Sequence, residues 1–465
     1  MKYILNDKYL IPSIRIDKDY KLRFEKTEKE ILTSRKRIRN ECRRSQMKIL
    51  YQNDKYLDSK DVCMLLSNVM HVGFEVTDSC NLRCVYCIYG NLYDNYDLRI
   101  NKKIEWDKAK IFMDYVINSL SCPMNASKEH EIYVSFYGGE PLLNMDFIEK
   151  MVAYTQSFAH VHFVYMMTTN AVYLRKYIGF LSQYNFRVMI SLDGAKENDL
   201  YRQFPNGEDS FDLVYSNIKY AQEKYPDYFK KNISFNSVMH DLTNPQETYS
   251  FIYNEFGKVP KISMINRNGI KEEQKLFFEK ISSEKRMSKE SEEEFEKIDQ
   301  TLDLNAGKYV KLRQLLFSYS GNVFEDYNNL LEKEENIRYI PTATCLPFSK
   351  RIFMTVNNKI LPCEKIGQQF YLGRVTDNGV EIDCEEVASK YNTYYKSLKT
   401  QCEKCYHKMN CQKCMYDIPG FDKNPKCDDF VDEEAFSKEL DKYMNILREN
   451  SHLYRRFMTE ILTVR

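Results

Sequence analysis

Three thiols stand within eight residues at Cys80, Cys84 and Cys87, inside the stretch Asp78-Ser79-Cys80-Asn81-Leu82-Arg83-Cys84-Val85-Tyr86-Cys87. Thiolates this close on one loop can all face a single inorganic cluster, and a four-iron cluster held by three cysteines leaves one iron open to another ligand. Zinc is the other metal such thiols suit. A structural zinc site closes a tetrahedron with four protein ligands, however, and no fourth Cys or His adjoins these three. Three ordinary packed thiols are the remaining reading, since free cysteine is often buried. A second group, Cys345, Cys363, Cys402, Cys405, Cys411, Cys414 and Cys427, holds seven more thiols. The pairs Cys402/Cys405 and Cys411/Cys414 have the spacing of a zinc ribbon. Seven thiols exceed one tetrahedral site and come one short of saturating two four-iron clusters.

Other polar residues recur between apolar runs. In Phe136-Tyr137-Gly138-Gly139-Glu140-Pro141 two glycines let backbone approach a ligand closely, and the carboxylate can accept hydrogen bonds from an ammonium group. A Gly-Gly pair alone is more often just a turn. Thr168-Thr169-Asn170, then Ser191-Leu192-Asp193-Gly194, then Arg202 supply hydroxyls and a guanidinium, which suit a ligand carrying a ribose and a carboxylate. Asn170 and Asp193 also read as turn residues, and Arg202 as a surface charge.

These groups need a frame. Apolar runs predict strands near 72–76, 132–136, 162–167, 188–192, 233–238 and 262–265, and helical periodicity lies between them near 106–120, 146–158, 172–184, 211–224 and 246–255. Strands joined by helical crossovers imply a parallel sheet curling toward a barrel, and six units rather than eight leave it open on one side. The fold class is α/β: a partial (β/α)6 TIM-like barrel with a C-terminal cysteine-rich auxiliary-cluster domain and helical additions. Chemistry in such barrels sits at the C-terminal ends of the strands. The three-thiol loop follows the first strand, Gly-Gly-Glu the second, Thr-Thr-Asn the third and Ser-Leu-Asp the fourth.

The expected domains are an N-terminal region at 1–70, the barrel at 71–270, a charged helical connector at 271–340, the cysteine-rich domain at 341–430 and a terminal helix at 431–465. The first region opens with an alternation around Pro12 that suits a hairpin, followed by a basic helix carrying Arg39, Arg43 and Arg44. That helix presents either a solvated face or a dock for an acidic peptide. A net charge of +1 gives no global electrostatic case for nucleic acid or anionic membrane as partner. With no apolar export segment at the start and no apolar run near the roughly 18 residues of a membrane span, a cytoplasmic protein is expected. That compartment keeps thiols reduced, so the 14 cysteines are read mainly as metal ligands. Cys42, Cys63, Cys122 and Cys384 match no motif and read as packed thiols.

The spacing of the three-thiol loop, with an aromatic before its third Cys, resembles the cluster loop of radical S-adenosylmethionine (SAM) enzymes. Gly-Gly-Glu-Pro, Thr-Asn and Ser-Leu-Asp-Gly with a later Arg follow in that family's order over about 200 residues. The resemblance implies that Cys80, Cys84 and Cys87 hold a four-iron cluster whose open iron takes the amino and carboxylate groups of SAM. It implies that Glu140, with Gly138 and Gly139, receives the methionine amino group, that Ser191 and Arg202 contact ribose and carboxylate, and that Tyr86 lies against adenine. Thr169, Asn170 and Asp193 stand among the same cofactor-binding residues. One electron would split the sulfonium, and the resulting 5'-deoxyadenosyl radical would abstract a substrate hydrogen.

The distal cysteines are similar to the SPASM extension of radical SAM peptide modifiers, which holds two auxiliary four-iron clusters, three in all. By position Cys402, Cys405, Cys411 and Cys427 would ligate the outer one, and Cys345, Cys363 and Cys414 the inner one. Two departures stand out: Asn357-Asn358 replaces the usual Asp-Gly, and no further Cys stands just before Cys345. The function implied is crosslinking or oxidation of a ribosomally made precursor peptide, with a low-potential donor such as flavodoxin or ferredoxin and with neither nucleic acid nor membrane as partner. Glu364, beside Cys363, is the candidate base for that reaction; the alternative within enzymes is an anaerobic sulfatase-maturing enzyme, in which Glu364 would stand where that group has an Asp base. The alternative outside them is a non-catalytic iron-sulfur scaffold that binds peptide.

Overall fold

The computed structural model describes residues 3–5, 10–12, 56–125, 131–267, 269–282, 312, 340–408 and 411–449. At the start, β1 (Tyr3–Leu5) and β2 (Leu10–Pro12) pair antiparallel, with Tyr3 opposite Pro12. The basic helix expected around Arg39 and most of the charged connector lie outside the described residues.

After α1 (Ser59–Ser67), all six expected strands form: β3 (His71–Thr77), β4 (Glu131–Gly138), β5 (His162–Thr169), β6 (Arg187–Ser191), β7 (Ile233–Met239) and β8 (Lys261–Met264). They pair in sequence order and in parallel. Between them run α2 (Trp106–Ser119), α3 (Met145–Gln156), α4 (Leu174–Gln183), α5 (Phe211–Lys224), α6 (Pro226–Asn232) and α7 (Pro245–Phe256). The sequence sets these boundaries locally. At α7 the Asn244 side chain accepts from Gln246 N at 2.8 Å, Pro245 occupies the first turn, and Gly257 ends the helix with a φ of 65°. One face of the sheet packs on the helices: the Phe74 ring of β3 meets Phe112 of α2 and Phe147 of α3, each at 5.7 Å. The architecture is a partial (β/α)6 barrel.

The same sheet then continues past β3. Strand β9 (Ile352–Met354) pairs parallel with β3, and β10 (Lys359–Leu361), β11 (Gly373–Thr376) and β12 (Gly379–Glu381) follow antiparallel, giving ten strands. Strands of three or four residues carry too little periodicity to show in sequence. Asn358 turns the chain between β9 and β10 with a φ of 61°, the left-handed conformation for which Asn stands in for Gly.

The chain divides into two compact units, Leu57–Ser288 with Cys345–Tyr391, and Asn392–Arg465 with Met1–Tyr56 and Lys289–Thr344. The first contains α8 (Lys275–Ile281) and the whole ten-stranded sheet. Helix α9 (Cys384–Lys404) begins in the first unit and continues in the second. There Tyr394 packs edge-on against Phe421 at 5.0 Å, and α10 (Glu433–Glu449) buries Phe436 and Leu440. No helix among the described residues is long and apolar enough to cross a membrane.

Candidate active site

The loop after β3 is pinned from several sides by backbone bonds. Arg83 N donates to Gln203 O at 2.6 Å, Val85 N to Tyr201 O at 3.0 Å, and Glu140 N to Ser79 O at 2.9 Å. Gly138 and Gly139 make the last of these possible. A Cβ on Gly139 would lie 1.9 Å from Ser79 O, and Gly138, with a φ of 133°, would bring one within 2.2 Å of Thr77 O. The loop holds Cys80, Cys84 and Cys87 in one electrostatic neighbourhood. Burial first, then the Glu140 carboxylate, push the Cys80 thiol up to about 11. Burial pushes Cys84 up to about 12, with Cys87 and Cys80 adding to it against the pull of Arg202. Such thiols keep their protons at neutral pH until a cation displaces them, the condition under which metal binding releases protons.

Beside the loop, Glu140 braces two strand ends. Its Oε1 accepts from Thr169 Oγ1 at 2.7 Å and Leu142 N at 3.0 Å, and its Oε2 accepts from Asn170 N at 2.8 Å. Asn170 Nδ2 in turn donates to Asn81 Oδ1 at 2.7 Å and lies 3.8 Å from Cys80 Sγ. Three bonds on a carboxylate that is 1% exposed leave about one acceptor position of its four. Glu140 therefore fixes the relation of the thiol loop to β5 as well as offering a place to a cation.

A second network lies near Cys84. Tyr86 Oη donates to Asp193 Oδ2 and accepts from Arg202 Nη1 at 3.2 Å, while Asp193 Oδ1 accepts from Val238 N at 2.8 Å. Arg202 also pairs with Asp199 at 3.9 Å. Burial works against its charge, but Cys84, Tyr86, Asp193 and Asp199 together hold its pKa above the ordinary guanidinium value. It is a permanent counter-charge for thiolates on the loop. The hydroxyl of Tyr86, expected to lie against adenine, is thus committed inside the protein, and its ring stacks on His240 at 5.5 Å. Ser191 ends β6 in register with Asn236 of β7.

His240 and Asp199 were not singled out in the sequence. His240 follows β7 directly, at a strand end of the kind that carries the other groups, and that position was the available signal. It is wholly buried, accepts from Leu242 N at Nδ1 at 3.3 Å, and presents Nε2 to Asp193 Oδ2 at 3.6 Å. An accepting Nδ1 places the proton of the neutral ring on Nε2, facing Asp193. His240→Phe, which keeps the stack and removes that N–H, is expected to weaken SAM binding about tenfold in equilibrium dialysis, with iron content unchanged.

The distal thiols fall in both units. In the second, Cys402, Cys405, Cys411 and Cys427 share one neighbourhood: burial, then Cys411, Cys405 and Cys427, push Cys402 up to about 12. In the first, burial and Glu364 push Cys363 up to about 12, and Cys345 lies near Arg351. Cys414 belongs to the second unit and opens the turn Met415–Asp417. Glu364, the candidate base, pairs with Arg351 at 2.5 Å. Burial opposes its charge, but Arg351 prevails and holds it below the usual carboxylate range. An ion-paired carboxylate of that kind is a weak base.

Cys384 lies against Cys63, Sγ to Sγ at 2.8 Å, and burial, Cys63 and Asp383 set its acidity. Cys384→Ala is accordingly expected to leave the iron content per chain unchanged in elemental analysis, and loss of a cluster would show that Cys384 is a ligand. Among the described residues no three Cys, His, Asp or Glu side chains converge on a single metal ion. A four-iron cluster asks for wider spacing, because each thiolate takes a different iron.

Residues 74–252 match the Radical SAM superfamily. The chain carries a radical SAM domain. This domain is similar to the cysteine-type anaerobic sulfatase-maturating enzyme of Clostridium novyi, 28% identical over 148 residues that cover 31% of this chain and 37% of that one. It is also similar to the radical SAM cyclopropyl synthase TigE of Paramaledivibacter caminithermalis, 25% identical over 190 residues covering 40% of this chain and 37% of the relative. The chain thus spans little more than a third of either relative's length. A solved structure of native anSMEcpe with bound AdoMet and Kp18Cys peptide shares the fold, with a TM-score of 0.52 at 17% identity over 82% of this chain and 99% of that one. Radical SAM proteins use SAM and a four-iron cluster, and the three thiols, Glu140 and Arg202 lie inside the matched span.

Proposed function

We propose that the chain is a radical SAM peptide maturase, which takes a hydrogen from a ribosomally made peptide so that a crosslink or an oxidised side chain results. The observation that carries this reading is the second gathering of thiols, Cys402, Cys405, Cys411 and Cys427, apart from the barrel loop. Net oxidation of a peptide releases an electron, and Cys402, Cys405, Cys411 and Cys427 would hold an auxiliary cluster able to accept it. A sulfatase maturase and a cyclopropyl synthase among the relatives agree with this chemistry.

The residues fit SAM and its cluster. Cys80, Cys84 and Cys87 would hold the cluster, with Arg202 as neighbouring counter-charge. Buried Asn81 Nδ2 lacks a hydrogen-bond partner in the protein itself, as a donor reserved for a polar ligand does. When bound together, the cluster and SAM supply a one-electron cleavage that yields a hydrogen-abstracting radical. Glu140 orients the Gly-Gly turn and keeps an acceptor position for the methionine ammonium. Thr169 and Asn170 hold Glu140, and Tyr86 and Asp199 hold Arg202. Two auxiliary clusters would complete the set, the outer one on Cys402, Cys405, Cys411 and Cys427, with a flavodoxin- or ferredoxin-type donor and a precursor peptide as partners.

The test is reductive SAM cleavage by anaerobically prepared protein under dithionite. Formation of 5'-deoxyadenosine and methionine is the expected result. Iron-loaded protein that forms neither is a scaffold.

A further inference from the structure

Two cysteines outside both thiol gatherings meet across 321 positions of sequence, Cys63 Sγ and Cys384 Sγ at 2.8 Å. Each sits on a fixed helix. Helix α1, which carries Cys63, starts with a reciprocal cap in which Asp58 accepts from Asp61 N at 2.9 Å and Asp61 accepts from Asp58 N at 3.0 Å. Cys384 opens α9, where Asp383 accepts from Glu385 N at 2.9 Å, and Val387, Ala388 and Tyr391 are buried just beyond. Val62 and Leu66 are the buried apolar residues of α1. The two sulfurs are therefore held together by packing on both sides, and both belong to the same compact unit. Cys384 also lines a cavity of about 710 Å³ together with Tyr371, Arg374, Glu381, Asp383 and Lys390. Its walls carry both signs of charge, which suits a small zwitterion.

We propose that Cys63 and Cys384 form a reversible redox couple, closed to a disulfide by a low-molecular-weight disulfide of the glutathione type that enters through this cavity, so that α1 is stapled to the start of α9. The thiolate of Cys384 attacks one sulfur of the small disulfide, forming a mixed disulfide and releasing one small thiol. Cys63 then attacks the Cys384 sulfur, forming the protein disulfide and releasing the second. Two electrons and two protons pass from the cysteine pair to the small disulfide, which leaves as two thiols. Burial and the Cys63 thiol push Cys384 up to about 12, so exchange is slow at neutral pH and speeds up about tenfold per pH unit as the thiolate fraction grows.

The experiment exposes anaerobic holoenzyme to glutathione disulfide at pH 7, 8 and 9, then alkylates, digests and maps cysteines by mass spectrometry. A peptide pair joined through Cys63 and Cys384, two hydrogens lighter than its parts, is expected, with a rate rising about tenfold per pH unit and reversal by dithiothreitol. The melting midpoint of the oxidised protein is expected to rise. Full alkylation of both cysteines after prolonged exposure at pH 9, separate glutathione adducts without the crosslink, or an unchanged melting midpoint would overturn the proposal. Cys63→Ser supplies a second readout. It should stop at the mixed disulfide on Cys384, and a crosslink from Cys384 to another cysteine would contradict the pairing. The mapping of the unsubstituted protein stands by itself if that variant does not fold.

Discussion

Replacing Cys84 by Ala is expected to lower the iron of anaerobically prepared protein from about 12 to about 8 atoms per chain and to bring SAM cleavage down to background. The prediction rests on the separation of the thiol sets. Cys84 is surrounded by Cys87, Cys80 and Arg202, whereas Cys402 is surrounded by Cys411, Cys405 and Cys427. Removing one thiol from the loop leaves two for a cluster that needs three, and leaves the distal ligands untouched. Two measurements check it, elemental iron per chain and chromatographic 5'-deoxyadenosine under dithionite. A Cys84→Ala protein that forms 5'-deoxyadenosine at the native rate would sink the assignment of the radical site.

The mirror experiment is Cys402→Ala. It is expected to remove about four iron atoms, keep SAM cleavage within about twofold, and lower the yield of modified peptide at least about tenfold. The barrel loop makes its contacts with Tyr201, Gln203 and Glu140, none of them in the unit that holds Cys402, so the radical site should survive. What is lost is the route for the electron released when the peptide is oxidised. Peptide mass analysis after coexpression separates this from a folding defect, because a misfolded chain would lose SAM cleavage as well. An unchanged yield of modified peptide would remove the auxiliary cluster from the reaction.

The parts of this arrangement that local sequence physics governs were legible beforehand. Six strands and the helices between them announce themselves by alternation and helical periodicity, and the polar residues at their C-terminal ends follow from the connection rule for parallel strands. What was hidden is non-local. Strands β9 to β12 are too short to show a period, and their place beside β3 follows from pairing across more than 270 residues. The contact of Cys63 with Cys384 has no sequence signature at all. His240 lay at an informative position, but a lone His reads as a core residue until its neighbours Tyr86, Tyr201 and Asp193 are seen. Glu140 and Tyr86 show the other limit of motif reading. The family resemblance names them as ligand contacts, whereas their hydrogen bonds give each a second task in holding the site together.

On the proposed function, a radical formed at the barrel loop takes hydrogen from a peptide. The direct measurement is isotopic: a candidate precursor peptide, fully deuterated on its side chains, is incubated anaerobically with the iron-loaded protein, SAM and dithionite. Deuterium appearing in 5'-deoxyadenosine, with a matching loss of deuterium from the peptide, is the predicted result. 5'-Deoxyadenosine that forms without deuterium while the peptide is modified would contradict it.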